Sequence, residues 1–395
     1  MSFGKASVRD ADVAGKRVLV RVDFNVPLDG GRVADDTRIG AALPTIELLR
    51  ERGAALILVS HLGRPGGKVD PALSMRPVGE RLAELIETEV IQAPAVVGEE
   101  VEALAVELEP GEVMLLENVR FEPGETDDDP VLAKALVRLA DLYVNDAFGA
   151  AHRAHASTAG VAAMLPGYAG LLLEREVTEL TRVVESPHRP LVVVLGGAKV
   201  SDKVGVIDRF LEVADEILIG GAMCFSFLRA QGISTGSSLV EESGVKLAEQ
   251  ALRRAETSEC ELRLPVDLLL GERFAADAEP GAIDGVEVPD GWMGLDIGPR
   301  SAAAYAEAIA AAGTALWNGP MGAFELPPFA AGTRTVAEAV AAAPGTTVVG
   351  GGDSVAALQQ FGLADEVDWL STGGGASLEL LEGKKLPGVE ALRDA

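Results

Sequence analysis

Short apolar runs at residues 17–22, 54–60, 112–116, 141–145, 191–195, 216–220, 266–270, 314–317, 345–349 and 368–371 alternate with helical patterns along the chain. Alternation of this kind implies βαβ units and mostly parallel sheets, which sets the fold class as α/β. A chain of 395 residues with 48% apolar content can bury two cores, and single cores stop growing beyond about 250–300 residues. The 45 glycines and 4% aromatics suit an Ala/Val/Leu-packed protein with many tight strand-to-helix turns. Between the two groups of runs lies Leu171–Val184, with apolar residues at helical spacing, followed by the proline-bounded segment Glu185–Pro190. This reads as a connecting helix with a proline-bounded end and places the domain division near residues 174–190.

The ends of the runs carry the chemistry. In an open parallel sheet the ligand crevice lies outside the carboxyl ends of the strands. The run Arg17-Val-Leu-Val-Arg-Val ends in Asp23 and Asn25 before Pro27. The next ends in His61-Leu62-Gly63-Arg64, a third in Asn118-Val-Arg120, and a fourth leads into the loop holding His152, Arg153 and His155. Together these tips make a cationic pocket, because guanidinium groups bind carboxylate and phosphate in a bidentate fork. The second group ends in glycine loops: Gly196-Gly-Ala-Lys199 through Lys203, Gly220-Gly221, Asp296-Ile-Gly298, Asn318 to Glu325, Gly350 to Ser354, and Ser371 to Gly375. Glycines let a backbone approach a phosphate closely, and the following helices aim N–H groups at it.

Composition narrows the class of partner. A formal net charge of −27 and a pI near 4.5 argue against nucleic acid or an anionic membrane, so any phosphate site must be a local cluster of cations and amides. Residues 1–16 lack an apolar segment of signal-peptide type, and no apolar run reaches the roughly 18 residues of a membrane span, so a soluble, cytoplasmic protein is expected. Cys224 and Cys260 are too few for a disulfide framework and have no metal-ligand spacing.

Each motif also has a plainer reading. Asp23 and Asn25 are natural turn formers ahead of a proline. Arg38, in Asp35-Asp-Thr-Arg38, would alone be a surface residue paired with its acidic neighbours. His152 and His155 are three apart, but their alanine-rich loop offers no further ligand. No Gly-x-Ser-x-Gly elbow, Walker A loop or Gly-x-Gly-x-x-Gly fingerprint occurs. Lys199 and Lys203 could be two exposed lysines beside a structural turn, with a helix starting near Ser201-Asp202. Asp353 or Ser354 could simply cap a helix, though a carboxylate at such a turn could also reach Mg²⁺. Glu325, ordinarily a surface carboxylate, could take hydrogen bonds from ribose hydroxyls.

Read together, these segments resemble the phosphoglycerate kinase family. The likeness runs in order through Arg17–Pro27, His61–Pro65, Leu116–Phe121, Asn145–Gly149, His152–His155, Gly196–Lys203, Trp317–Gly322, Gly350–Ser354 and Ser371–Ala376. The resemblance implies two Rossmann-like domains with mostly parallel sheets facing across a hinged cleft. It further implies transfer of a phosphoryl group between 1,3-bisphosphoglycerate and ADP, giving 3-phosphoglycerate and ATP, with Mg²⁺. By similarity, Asp23, Asn25, Arg38, His61, Leu62, Gly63, Arg64, Arg120 and Arg153 hold the phosphoglycerate. Lys203, Gly294, Asn318, Glu325, Gly351, Gly352, Asp353 and Ser354 serve the nucleotide, with Asp353 toward the metal. Arg38, Lys199, Lys203 and the Gly373, Gly374 and Gly375 amides act on the transferring group. Ser354 stands where many relatives have threonine, and either hydroxyl can cap. The tail 380–395 is expected to return to the first domain, and the protein to be a monomer. Two other readings are a nicotinamide-dependent dehydrogenase, which lacks its fingerprint here, and a non-catalytic sugar-phosphate-binding protein on the same scaffold.

Overall fold

The structure is a computed structural model and describes residues 3–395. The chain forms two compact units. One runs to Thr178 and is rejoined by Lys385–Ala395, and the other is Glu179–Lys384. The break falls inside the helix Leu171–Glu185.

The first unit is built on a six-stranded sheet in the order Val90–Gln92, Val113–Leu115, Ala55–Val59, Arg17–Arg21, Leu142–Asn145 and Gly167–Ala169. Every pairing is parallel. Ala55–Val59 is buried at every position, as a central strand covered on both faces must be. Val18, Val20, Leu56 and Leu58 pack with Ile39, Ile46 and Leu49 of the helix Thr37–Glu51 to form much of the core. The runs 17–22, 54–60, 112–116 and 141–145 all become strands. The outermost strands, Val90–Gln92 and Gly167–Ala169, are three residues each and carry too little pattern to be foreseen. A small antiparallel pair, Leu28–Asp29 with Arg32–Val33, turns on Gly30 and Gly31. Both have positive φ (55° and 78°), the requirement of a tight two-residue hairpin.

The last residues finish this unit. Ala6 N donates to the Arg393 carbonyl (2.8 Å), Arg393 N to that of Gly167 (3.1 Å), and Asn145 Nδ2 to that of Gly388 (2.9 Å). Lys5 Nζ donates to the Glu390 and Leu392 carbonyls and to the Asp394 carboxylate.

The second unit has its own six-stranded parallel sheet, in the order Glu261–Arg263, Glu216–Ile219, Leu191–Leu195, Thr314–Asn318, Thr346–Gly350 and Trp369–Leu370. Trp317 and Tyr305 anchor its core, with the Trp317 indole donating to the Gly319 carbonyl (2.7 Å) and the Tyr305 hydroxyl to that of Ile219 (2.8 Å). One expectation fails here. The run 266–270 does not join the parallel sheet but forms Leu268–Gly271, the middle strand of an antiparallel sheet with Gly281–Ile283 and Met293–Ile297. The links from Gly271 to Gly281 and from Ile283 to Met293 contain no helix, and parallel neighbours need a crossover of a dozen or more residues.

Among the described residues no helix is long and apolar enough to cross a membrane. Cys224 and Cys260 are both buried and free.

Candidate active site

In the first unit, the strand Arg17–Arg21 runs out into Asp23 and Asn25. Val22, Phe24 and Val26 continue the buried alternation, so Asp23 and Asn25 face away from the core. The Phe24 amide donates to Ser60 Oγ (2.9 Å), fixing the segment against the neighbouring strand end. Arg38, near the start of the helix Thr37–Glu51, donates from Nη1 to Asp23 Oδ2 at 3.2 Å. The plainer reading, Arg38 paired with its acidic neighbours, is not seen: Asp36 is held by Arg81 and Asp35 accepts from the Thr37 amide. His61 Nδ1 lies 3.9 Å from Asp23 Oδ1 and 3.2 Å from Arg21 Nη2.

The loop His61–Arg64 is pinned by its neighbours. Fully buried Asn118 accepts from Leu62 N and Arg120 N (3.1 Å each) and donates to the Leu62 and Leu73 carbonyls (2.7 and 2.9 Å). Asn25 Oδ1 accepts from Gly63 N (2.8 Å), and Arg120 Nη1 donates to the Gly63 carbonyl (2.8 Å). Gly63 has φ of 60°, which a residue with a Cβ seldom adopts. Arg64 and Arg153 are exposed. Arg153 lies close enough to act on His155, together with Arg21, Arg120 and His152.

The electrostatics follow from crowded cations in a buried site. Burial drives the His61 imidazole down to about 3, with Arg21, Arg120 and Arg38 adding to the effect and Asp23 opposing it. Burial also pushes the Asp23 carboxyl up, but the nearby positive charges outweigh it and leave the group below its ordinary value. Because His61 is neutral near pH 7, Arg38 and Arg21 carry that effect there. His155 is held down to about 4, first by burial and then by the surrounding arginines.

In the second unit the helix Val204–Val213 begins just after Lys203, later than the Ser201-Asp202 start that the sequence pattern suggested. Glu241 explains the delay: it accepts from the Ser201 amide (3.0 Å) and hydroxyl (2.5 Å) and holds the loop away from helical geometry. Lys199 is exposed, but Lys203 is buried. Its ammonium donates to the Asn318 carbonyl (2.7 Å) and to Asn318 Oδ1 (2.6 Å) at the end of the strand Thr314–Asn318. Burial lowers its pKa to about 7, against the pull of Asp353 and Asp202. The reading of two exposed lysines therefore fails for Lys203.

Ser354 Oγ accepts from Gly319 N (2.5 Å), joining the Asn318 loop to the helix Gly352–Phe361. Gly351 precedes that helix with φ of 90°, and Asp353 stands exposed in its first turn.

A cavity of about 740 Å³ opens beside these loops, walled by Gly221, Phe225, Gly294, Met321 and Phe324, with Glu325 and Asp353 among its lining residues. Its mostly apolar wall with a few polar groups has the character of a small-molecule site. Lys199 and the segment Gly373–Gly375 do not line it. The Gly373 amide donates to Ser371 Oγ (3.3 Å), so of the three loop amides it is already engaged.

Among the described residues no group of three or more His, Cys, Asp or Glu side chains is placed to hold a metal ion. Asp353 offers a single carboxylate at the cavity. That suits Mg²⁺, which is commonly held by one or two carboxylates together with substrate phosphates.

Sequence reasoning passed over Arg21, Glu125 and Ser157. Arg21 is fully buried in a strand, and arginine is rarely so unless paired. That charge inside an apolar run was the available signal.

Comparison with known proteins agrees with the geometry. Residues 8–384 match the family model described as phosphoglycerate kinase. A relative named phosphoglycerate kinase from Chloroflexus aurantiacus is 54% identical over the whole of both chains. Another of that name from Moorella thermoacetica is 55% identical, covering 99% of this chain and 100% of its own. Among solved structures, the phosphoglycerate kinase of Coxiella burnetii aligns over 98% of both chains with a TM-score of 0.88 and 41% identity. That of Pyrococcus horikoshii OT3 aligns over 98% of both at 0.87 and 34%. A full-length match of this kind, over two Rossmann-like units without a dinucleotide fingerprint, leaves neither the dehydrogenase nor the non-catalytic reading favoured, and the chain belongs to the phosphoglycerate kinase family.

Proposed function

We propose that this kinase catalyses the reversible, Mg²⁺-dependent transfer of a phosphoryl group between 1,3-bisphosphoglycerate and ADP, giving 3-phosphoglycerate and ATP. The observation that carries the reading is the joint presence of the cationic cluster around Asp23, Arg38 and His61 and the buried Lys203 beside an apolar cavity.

In the ATP-consuming direction the nucleophile is a carboxylate, already ionised at neutral pH. It needs no general base. The candidate side chains fit that requirement, since His61 is a buried neutral imidazole and Asp23 is ion-paired to Arg38. Catalysis then rests on in-line positioning and on charge stabilisation.

We assign Asp23, Asn25, His61, Leu62, Gly63, Arg64, Arg120 and Arg153 to the phosphoglycerate. Asp23 and Asn25 offer oxygens to its hydroxyl, and the arginines offer forks to its phosphate and carboxylate. Arg38 is placed on the acyl carboxyl and the transferring oxygens. Lys203 and exposed Lys199 serve the phosphates, Gly294 and Glu325 the nucleoside, and Asn318 with Gly351–Ser354 the phosphate loop. Gly374 and Gly375, with Gly373 once it leaves Ser371, would meet the developing charge. Mg²⁺ arriving with the nucleotide would be held by Asp353 and would neutralise phosphate charge.

We further place residues 1–173 with the tail 380–395 as the phosphoglycerate-binding domain, 174–190 as hinge and 191–379 as the nucleotide-binding domain. The enzyme is proposed to be a cytoplasmic monomer, in keeping with its buried, unpaired cysteines.

A coupled assay with 3-phosphoglycerate, ATP and Mg²⁺, each omitted in turn, tests this. Turnover is expected only with all three, and turnover that persists without 3-phosphoglycerate would count against the assignment.

A further inference from the structure

We propose that Arg21 is a positioning residue for substrate recognition: by donating to His61 Nδ1 it fixes His61 as the tautomer that carries its proton on Nε2, an uncharged donor for an oxygen of the phosphoglycerate. The inference rests on the reading of His61 as a substrate residue and says how that residue is made to work.

Arg21 is the fifth residue of the strand Arg17–Arg21 and has no exposed surface. Its guanidinium is used on three sides. Nε donates to Ser157 Oγ (2.8 Å), Nη1 donates to the Val22 carbonyl, and Nη2 lies 3.2 Å from His61 Nδ1. A guanidinium has five N–H donors and no acceptor, so the imidazole nitrogen facing it must supply the lone pair. The ring proton is thereby assigned to Nε2.

The buried charge has its own support. Ser157 accepts from Arg21 and donates from its hydroxyl to Glu125 Oε1 (2.6 Å), while its amide donates to Glu125 Oε2 (3.0 Å). Glu125 is itself fully buried. Ser157 lies in a π-helical turn, Ala156–Gly160, a rare geometry that recurs at functional sites. The row Glu125–Ser157–Arg21–His61 thus runs from a buried carboxylate to the proposed substrate residue.

Asp23 is the competitor. Its Oδ1 is 3.9 Å from the same His61 nitrogen, beyond hydrogen-bond reach, while its Oδ2 is taken by Arg38. The charged groups facing the ring are Asp23, Arg21 and Arg38, with Arg120 from the turn Val119–Phe121. Removing Arg21 deletes a cation and the only donor to Nδ1 among these contacts. Asp23 would then draw a proton onto Nδ1 and charge the ring.

The test is the ring ¹⁵N spectrum of ¹⁵N-histidine-labelled full-length protein, with His61 among four histidines identified by its loss in His61→Gln. In the wild type, His61 is expected to show an unprotonated Nδ1 and a protonated Nε2, unchanged between pH 5.5 and 8.5. In Arg21→Gln, Nδ1 is expected to become protonated and the ring to titrate within that window. A wild-type ring with its proton on Nδ1, or an Arg21→Gln ring identical to the wild type, overturns the proposal. Should that variant not fold, the wild-type spectrum still decides.

Kinetics supply the second readout. The ratio of the variant KM for 3-phosphoglycerate to that of the wild type is expected to fall several-fold from pH 8 to pH 6, because only the variant gains an imidazolium. A ratio flat with pH counts against the proposal. Adding 3-phosphoglycerate should also shift the Nε2 signal. A ring in the stated tautomer that ignores 3-phosphoglycerate overturns the site reading and the recognition role with it. A ring that responds but carries its proton on Nδ1 overturns the role of Arg21 alone.

Discussion

The Lys203 ammonium is clasped by a single residue, donating to the backbone carbonyl of Asn318 at 2.7 Å and to its side-chain oxygen at 2.6 Å. Neither oxygen belongs to a carboxylate, so the buried cation is solvated but not neutralised, and burial lowers its pKa to about 7.

A polyphosphate reaching this lysine would favour its charged form and raise that pKa. Binding of Mg-ADP at pH 8 is therefore expected to take up close to one proton, and affinity should weaken as pH rises above about 7. Calorimetry in two buffers of different ionisation heat measures the uptake. Lys203→Met should abolish it, and zero uptake by the wild type would remove Lys203 from the phosphate site.

Arg38 holds Asp23 at 3.2 Å and is partly exposed, so it can turn to a ligand without leaving the solvent. Arg38→Ala is expected to lower kcat by about 10²- to 10³-fold, the range for a lost charge-stabilising donor, with a smaller change in KM for 3-phosphoglycerate. Steady-state kinetics in both directions check this. A raised KM with kcat unchanged would assign Arg38 to ground-state binding only.

The Asn118 side chain makes four hydrogen bonds, and the residue has no exposed surface. Asn118→Ala should destabilise the first unit by about 2–4 kcal/mol, since buried backbone groups are left unpaired, and should raise KM for 3-phosphoglycerate by loosening His61–Arg64. Urea unfolding gives the first quantity, and a loss under about 0.5 kcal/mol, typical of a surface change, would contradict the pinning role.

Gly294 lies against the Phe225 ring in the cavity wall, where a Cβ would overlap the ring carbons. Gly294→Val is expected to raise KM for ATP by about tenfold, or 1.4 kcal/mol, and to leave KM for 3-phosphoglycerate unchanged. A variant with unaltered ATP kinetics would show that the nucleoside binds elsewhere.

Asp296 is buried with its carboxyl accepting from the Gly332 and Ile297 amides (2.6 and 2.9 Å), and burial pushes its pKa up to about 7. Its folded value exceeds the ordinary 3.8, so the folded state binds the extra proton between about pH 4 and 7. Its contribution is complete at low pH and is lost as pH rises through 7. Asp296→Asn should lower Tm overall, because one amide loses its acceptor, yet flatten the change in Tm between pH 5 and 8. Parallel Tm profiles for the two proteins would refute the assignment.

The strand ends were legible because parallel sheets put their chemistry at one edge, so Asp23, Asn25 and His61 could be named before any coordinates. What sequence could not supply was pairing at long range. Arg21 meets Ser157 across 136 positions and Lys203 meets Asn318 across 115, and neither partner has a local signature. The antiparallel pairing of 268–271 was hidden for a different reason, since a short apolar run carries no sign of the direction in which its strand pairs. The late start of the helix after Lys203 was hidden in the same way, because Glu241 holds Ser201 from 40 positions away.

The closing strap of the first unit, Lys385–Ala395, follows the whole of the second unit along the chain. Growing from the ribosome, residues up to Thr178 emerge long before Gly388 is available to Asn145 or Arg393 to Ala6, whereas Glu179–Lys384 is unbroken in sequence. The half made first therefore cannot be completed until the other half has been made.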